Sequence, residues 1–295
     1  MDFIKWQLFG LIFTLITIVV LVTKKRPLYQ AMFIGIIMLS FFLGKPANEV
    51  IILFWEGLID KATLELVFVV GLVTLLSWLL KDLGFLEHLL DSLTSILGSA
   101  KIAVIFIPAL IGIFPVMGGA AISAPLVDVL GDKLGLSKLI KTSVNMVFRH
   151  SVYYFSPFTS SLILLAGLTK IELLVLIKYM SPLGVISIVS GYYLYLHGAK
   201  EKELDSKIGS RSFDNFKKLL FYGAPLFISL ALFVLFNLSL LISLSIGLLV
   251  ALFLGKFLGK KVELKKTIRE GPDYYLMLGI AGIMIFRFLL ADLKS

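Results

Sequence analysis

Apolar residues run along this chain in blocks rather than in alternation. WQLFGLIFTLITIVVLVT (6–23) and LVFVVGLVTLLSWLL (66–80) carry no charge at all, and a block of roughly 17–25 such residues crosses a hydrocarbon core of about 30 Å. Read this way, the pattern predicts spans at 3–22, 28–43, 64–80, 142–168, 172–197, 219–236, 238–255 and 274–291. The stretch 102–131, IAVIFIPALIGIFPVMGGAAISAPLVDVLG, behaves differently. Pro108, Pro115 and Pro125 interrupt it, and Met117-Gly118-Gly119 turn it. Each arm of about 14 residues reaches only about 21 Å as a helix, so the stretch predicts a re-entrant hairpin. Its freed backbone groups are tolerable at membrane depth only where protein or a water-filled cavity surrounds them. Two short full crossings are the alternative, and they too return the chain to the side it left.

Composition agrees with the pattern. The 295 residues are 59% hydrophobic and 16% charged, whereas a soluble domain carries about 45–50% and about 25%. The chain is thus an all-α polytopic membrane protein partnered by the lipid bilayer. Lys24-Lys25-Arg26 follow the first block instead of preceding it, which marks a retained span rather than a cleaved signal. The net charge of +9 does not imply nucleic acid. With 24–27 on the inside, the basic loops 81–101, 132–141, 198–218 and 256–269 fall on that same face and hold most of the 28 lysines and arginines. The positive-inside rule then puts the N-terminus outside a cell membrane. With no cysteine and only His88, His150 and His197, widely separated, neither a disulfide framework nor a metal site is expected.

A repeat organises the chain. Residues 8–36 align without a gap on 220–248, with Leu8-Phe9 on Leu220-Phe221, Ile16 on Ile228, Val22 on Val234 and Ile34-Gly35 on Ile246-Gly247. Farther on, Leu43-Gly44-Lys45 match Leu254-Gly255-Lys256, Glu56-Gly57 match Glu270-Gly271, and LLKDL (79–83) matches LLADL (289–293). The predicted topology makes the second copy enter the membrane from the opposite face, the inverted arrangement characteristic of secondary transporters. The organisation expected is a first repeat over 1–197, a cytoplasmic linker over 198–218 and the start of a second repeat over 219–295. The second copy ends at Ser295 where its own hairpin is due, so the chain is expected to be a fragment or to be completed by another polypeptide.

The chemistry gathers in SVNMVFRHSVYYFSP (143–157). Arg149 lies roughly 12 Å into its predicted span, where an arginine costs about 2.5–3.5 kcal/mol or more and faces a cavity, a partner or a pathway. Asn145, Arg149 and Tyr153 share one helix face at i, i+4, i+8, with His150 and Tyr154 beside it. Pro157 breaks the helix, and Ser156, Thr159, Ser160 and Ser161 stand at the break. A guanidinium fork suits carboxylate or phosphate, and helix amino ends at a hairpin tip add positive character. Gly118 and Gly119 allow close backbone approach, Ser123 supplies a hydroxyl, and histidine is the side-chain type suited to physiological proton transfer, which nominates His150 to carry a coupled proton. The expected ligand set is therefore Gly118, Gly119, Ser123, Asn145, Arg149, His150, Tyr153, Ser156 and Thr159. The plainer alternatives are that Arg149 pairs with Asp128 or a backbone carbonyl as a structural lock, and that His150 merely hydrogen-bonds a neighbour.

FPVMGGAAISAP (114–125) and NMVFRH (145–150) resemble an integral-membrane family of unknown function, domain of unknown function 401, within the ion-transporter superfamily of gluconate, citrate and C4-dicarboxylate permeases. The resemblance covers roughly residues 5–295. It implies two inverted repeats, each with a re-entrant hairpin and a broken helix, and an elevator movement against a homodimeric scaffold. By that comparison the second repeat here lacks its hairpin and following helix, which would form half of the site. The function expected is secondary transport of a small organic anion, coupled to H+ or Na+ and without a cofactor. The rivals are an intramembrane hydrolase using His150 and a non-transporting scaffold. No H-E-x-x-H, G-x-S-x-G or paired intramembrane aspartates support an enzyme.

Overall fold

A computed structural model describes residues 2–113, 119–200 and 213–292. The described residues form fourteen α-helices, α1 (Asp2–Thr23), α2 (Leu28–Phe42), α3 (Ala47–Ile59), α4 (Lys61–Asp82), α5 (Phe85–Leu97), α6 (Ala100–Ile113), α7 (Gly119–Lys133), α8 (Lys138–Ser151), α9 (Ser160–Thr169), α10 (Leu173–Tyr195), α11 (Phe213–Val234), α12 (Leu240–Phe257), α13 (Leu264–Glu270) and α14 (Tyr274–Asp292). Six of them, α1, α4, α10, α11, α12 and α14, are long and apolar enough to cross a membrane. Their exposed surfaces carry side chains such as Phe9, Ile16 and Val19 on α1 and Val185, Ile186 and Leu194 on α10, which only hydrocarbon would solvate.

Local chemistry sets the boundaries. Pro27 and Pro46 precede α2 and α3, where a residue lacking an N–H costs a helix nothing. Ser137 and Ser239 cap α8 and α12 by accepting from the N–H of Ile140 and Ile242. Gly98 closes α5 in the left-handed conformation, φ 62°, a position glycine takes without steric cost. Three helices, α3, α5 and α13, lie in stretches that the block pattern left as loops, being too short or too mixed in polarity to read as spans.

The chain divides into two compact units. The first holds Met1–Gly71, Gly167–Lys170 and Asp273–Ser295. Its core is Met32, Ile36, Leu39 and Leu43 packed on Ile285, Phe286 and Leu289, so α2 lies on α14. Phe42 is ringed by Trp6, Phe9 and Phe13, and a Cβ on Gly10 would fall 2.2 Å from its ring. The second unit holds Leu72–Ala166 and Ile171–Pro272. There α11 packs on α12 and α5, α6 on α7 and α8, and α8 on α10.

Two pairs of glycines bear on the repeat. Gly35 of α2 leaves room for Thr14 and Ile18 of α1, and Gly247 of α12 leaves room for Ser229 and the carbonyl of Pro225 in α11. Gly57, at the end of α3, lies against Ile285 and Phe288 of α14, while its sequence counterpart Gly271 lies against Leu75 of α4. Each short helix thus rests on the long helix of the other sequence copy. The second contact is reinforced by Lys266, whose Nζ donates to Asp82 Oδ1 at 2.8 Å and stands 5.4 Å over the ring of Trp78. The Asp82 carboxylate holds that ammonium above its ordinary pKa.

The stretch expected to form a hairpin holds two short helices, α6 and α7, packed on each other. At 14 and 15 residues each arm is about 21–23 Å long. Of the expected tip, Met117 and Gly118 lie outside the described residues. The span expected over 142–168 is two helices. α8 begins at Lys138, four residues earlier, because Ser137 caps it, and it ends at Ser151. A 3-10 turn over Val152–Tyr154 follows, and α9 starts only at Ser160. The break therefore opens ahead of Pro157, whose ring disfavours helix at the residue before it.

Candidate functional site

One stripe of α8 faces α7. Lys141, Asn145 and Arg149 recur at i, i+4, i+8, and each meets the antiparallel α7 one turn farther toward its amino end. At the first rung Lys141 Nζ donates to Asp128 Oδ1 at 2.7 Å and Asp132 Oδ1 at 2.6 Å. Its stem lies over Gly131, where a Cβ would come within 2.7 Å of Lys141 Cγ. At the second, buried Ser123 donates from Oγ to Asn145 Oδ1 at 2.6 Å. At the third, Arg149 reaches the first residue of α7: a Cβ on Gly119 would lie 2.8 Å from Arg149 Nη2 and 3.2 Å from Cζ.

The third rung differs from the other two. Arg149 has no ion pair or side-chain hydrogen bond among the described residues, and its Nε is buried without a partner. The opening turn of a helix presents free N–H groups and a partial positive charge. Arg149 therefore adds a full cation to an end already short of acceptors. Asp128, one of the partners considered for Arg149, is paired with Lys141. With α8 starting at Lys138, Arg149 lies about 17 Å along the helix.

Backbone contact holds the arginine in place. Gly112 of α6 sits directly on α8, its hypothetical Cβ falling 2.1 Å from the carbonyl oxygen of Arg149. Phe148, fully buried, fills the space on the other flank, and Ser151 joins α8 to α10 through a 2.7 Å contact with the hydroxyl of Ser187.

Past the arginine, the broken segment makes a second polar surface. Ser156 organises the turn: its Oγ accepts from the N–H of Phe158 at 3.3 Å and its carbonyl accepts from the N–H of Thr159 at 3.2 Å. Thr159, at the amino end of α9, is 8% exposed, and its Oγ1 and the Oγ of Ser160 are buried without partners. Both residues line a cavity of about 220 Å³ with Gly112, Ile113, Tyr153, Phe158 and Ser161. An orphaned buried hydroxyl loses roughly 1–3 kcal/mol of hydration, so these two groups are a local cost of the turn.

The expected residues thus divide. Gly119, Ser123, Asn145 and Arg149 meet on the α7–α8 stripe, and Tyr153 and Thr159 line the cavity at the amino end of α9. Ser156 shapes the turn through its hydroxyl and carbonyl, and Gly118 is outside the described residues. His150 lies off the stripe. Its Nδ1 is 2.6 Å from the carbonyl of Met146 and its ring meets Tyr153 edge-on at 4.8 Å. No cluster of metal-ligating side chains occurs among the described residues.

Sequence reasoning missed the Lys141 clasp, although the i, i+4 spacing of Asp128 and Asp132 is a visible signal. It also missed Arg287, inside α14, whose Nη1 donates to the carbonyl of Gly167 at 3.0 Å. A cation there is favoured by the dipole at the carboxyl end of α9.

Fourteen described helices, six of them long and apolar enough to span a bilayer, mark a multi-pass helical membrane protein. The chain belongs to the family described as "Protein of unknown function (DUF401)", whose model matches residues 7–292. A comparison with curated proteins finds no match.

Proposed function

We propose that this protein is a secondary transporter of a small organic anion and that Arg149 is the group that binds the anion's charge. The observation that carries the reading is the open third rung. A guanidinium lies against the amino end of α7 with no carboxylate on it among the described residues, while the two rungs below it are satisfied. Arginine presents paired donors that match carboxylate or phosphate, and a helix amino end favours the same charge. Carrying such a cation in an apolar segment is costly. An anionic cargo would offset that cost at each visit.

The architecture lends further support. The interruption between α8 and α9, a 3-10 turn over Val152–Tyr154 followed by a helix that starts only at Ser160, is the kind of discontinuous element from which transporter sites are built. The reciprocal contacts of Gly57 and Gly271 favour the inverted repeat, and the two short arms of α6 and α7 favour a re-entrant hairpin. From the resemblance to the ion-transporter superfamily come the further proposals of an elevator movement, a homodimer and coupling to H+ or Na+. From the basic loops comes a cell-membrane topology with the N-terminus outside. A hydrolase has no corresponding observation.

Uptake into proteoliposomes tests the proposal. Radiolabelled carboxylates are offered under an imposed Na+ gradient and then a pH gradient, with wild-type protein and with Arg149→Gln. The wild type is expected to accumulate at least one anion under one of the gradients. A charged hydrogen bond is worth about 1.5–3 kcal/mol, so Arg149→Gln should weaken binding about 10- to 100-fold. Equal uptake by the two proteins would remove Arg149 from the site.

A further inference from the structure

A cleft of about 740 Å³ opens along the same stripe, lined by Ala124, Asp128, Lys138, Lys141, Thr142 and Asn145 among others. Its character changes with depth. Lys138, Lys141 and Asp128 stand at the end of α8 that leads from the basic loop 132–141, whereas Asn145 and Met146 form the inner end. The side chains of Asp128 and Asp132 remain 64% and 72% exposed even while clasped by Lys141. Of the two, Asp128 lines the cleft, and a carboxylate open to that degree at the edge of an apolar segment requires water rather than acyl chains. At its inner end the hydroxyl of Ser123 is closed on the amide of Asn145 at 2.6 Å, and both residues are buried. One turn beyond, on the same two helices, lie Gly119 and Arg149.

We infer that this cleft is the aqueous route by which the solute reaches the guanidinium, and that the Ser123–Asn145 hydrogen bond is its gate. The inference rests on the anion-site reading for what is carried, but the route and gate are defined by the geometry of α7 and α8 alone. The clasp at Lys141 holds the outer ends of the two helices together while the inner rung, where Ser123 Oγ bonds Asn145 Oδ1 and also lies 3.3 Å from the carbonyl of Gly119, releases.

The chain contains no cysteine, so single thiols report cleanly. In lipid nanodiscs, Thr142→Cys and Ala124→Cys, both at exposed positions of the cleft, are expected to react readily with a sulfonate-bearing methanethiosulfonate that does not enter hydrocarbon. Ile111→Cys, at a fully buried site beside Gly119, is expected to be inert. Adding Ser123→Ala should speed labelling of Ile111→Cys by about tenfold or more, since labelling follows the open population. Ser123→Thr, which keeps the hydroxyl, should restore inertness and so separates a gate from a general loosening. Cleft thiols that react only with a membrane-permeant maleimide, or an Ile111→Cys rate indifferent to Ser123→Ala, would overturn the inference. Labelling as expected without uptake of any anion overturns the transport reading alone; uptake with an unreactive cleft overturns the route alone.

Discussion

At the scale of single residues, Gly112 and Gly119 both touch Arg149, but a methyl group at each would meet a different kind of neighbour. At Gly112 it would fall 2.1 Å from a main-chain oxygen of α8, which cannot move without the helix. Alanine gains about 1 kcal/mol of helix propensity over glycine, and overpacking of this kind costs about 1–3 kcal/mol, so the clash prevails. Gly112→Ala is expected to lower the thermal midpoint in detergent. At Gly119 the nearest atoms are the tip of the guanidinium and the Cγ2 of Ile111, side-chain ends that can yield. Gly119→Ala is expected to keep the midpoint within a few degrees yet weaken anion binding, because the guanidinium is pushed off the helix end. The reverse pattern would mean that the two contacts have been assigned the wrong roles. Arg149 was legible from sequence because an arginine in an apolar block has few explanations. Lys141 was not, since at the edge of a predicted span a lysine reads as interfacial until α7 and α8 are known to be antiparallel neighbours.

Among the elements, α7 and α8 act as a pair joined by rungs of unequal kind. Lys141 is held by two carboxylates, so the loss of one leaves an ammonium still paired, and the loss of both leaves it tucked over Gly131 with no counter-charge. Removing the last partner of such a cation is the costly step. Asp128→Asn and Asp132→Asn are each expected to lower the thermal midpoint slightly, and the double variant by clearly more than the sum, a non-additivity diagnostic of a shared partner. Additive shifts would show that the clasp does not hold the helices together. The broken segment was foreseeable from Pro157 and the hydroxyl residues around it, but its extent was not. α8 closes with Ser151 bonded to α10, a tertiary contact with no local signature, and the 3-10 turn follows from that. The short helices α3, α5 and α13 escaped the block pattern for a related reason: their stability comes from packing on α14, α6, α11 and α4 rather than from an apolar run.

For the whole molecule, the sequence matches that suggest a repeat fall in part on glycines that make reciprocal contacts. A near-constant offset carried that information even though single apolar matches carry little. What no offset conveys is which helix a glycine will face, and that is where Gly57 and Gly271 add to the reading. The central claim concerns a cation kept available for cargo, and ligand binding to the folded state stabilises the entire fold by mass action, about 2.7 kcal/mol at a hundredfold excess over Kd. The most direct measurement is the thermal unfolding of purified wild-type and Arg149→Gln protein across a series of carboxylates and inorganic oxyanions. The account predicts equal midpoints without ligand, and at least one anion that raises the wild-type midpoint with concentration while leaving Arg149→Gln unmoved. Equal shifts in both proteins, or an Arg149→Gln chain that no longer folds, would contradict it.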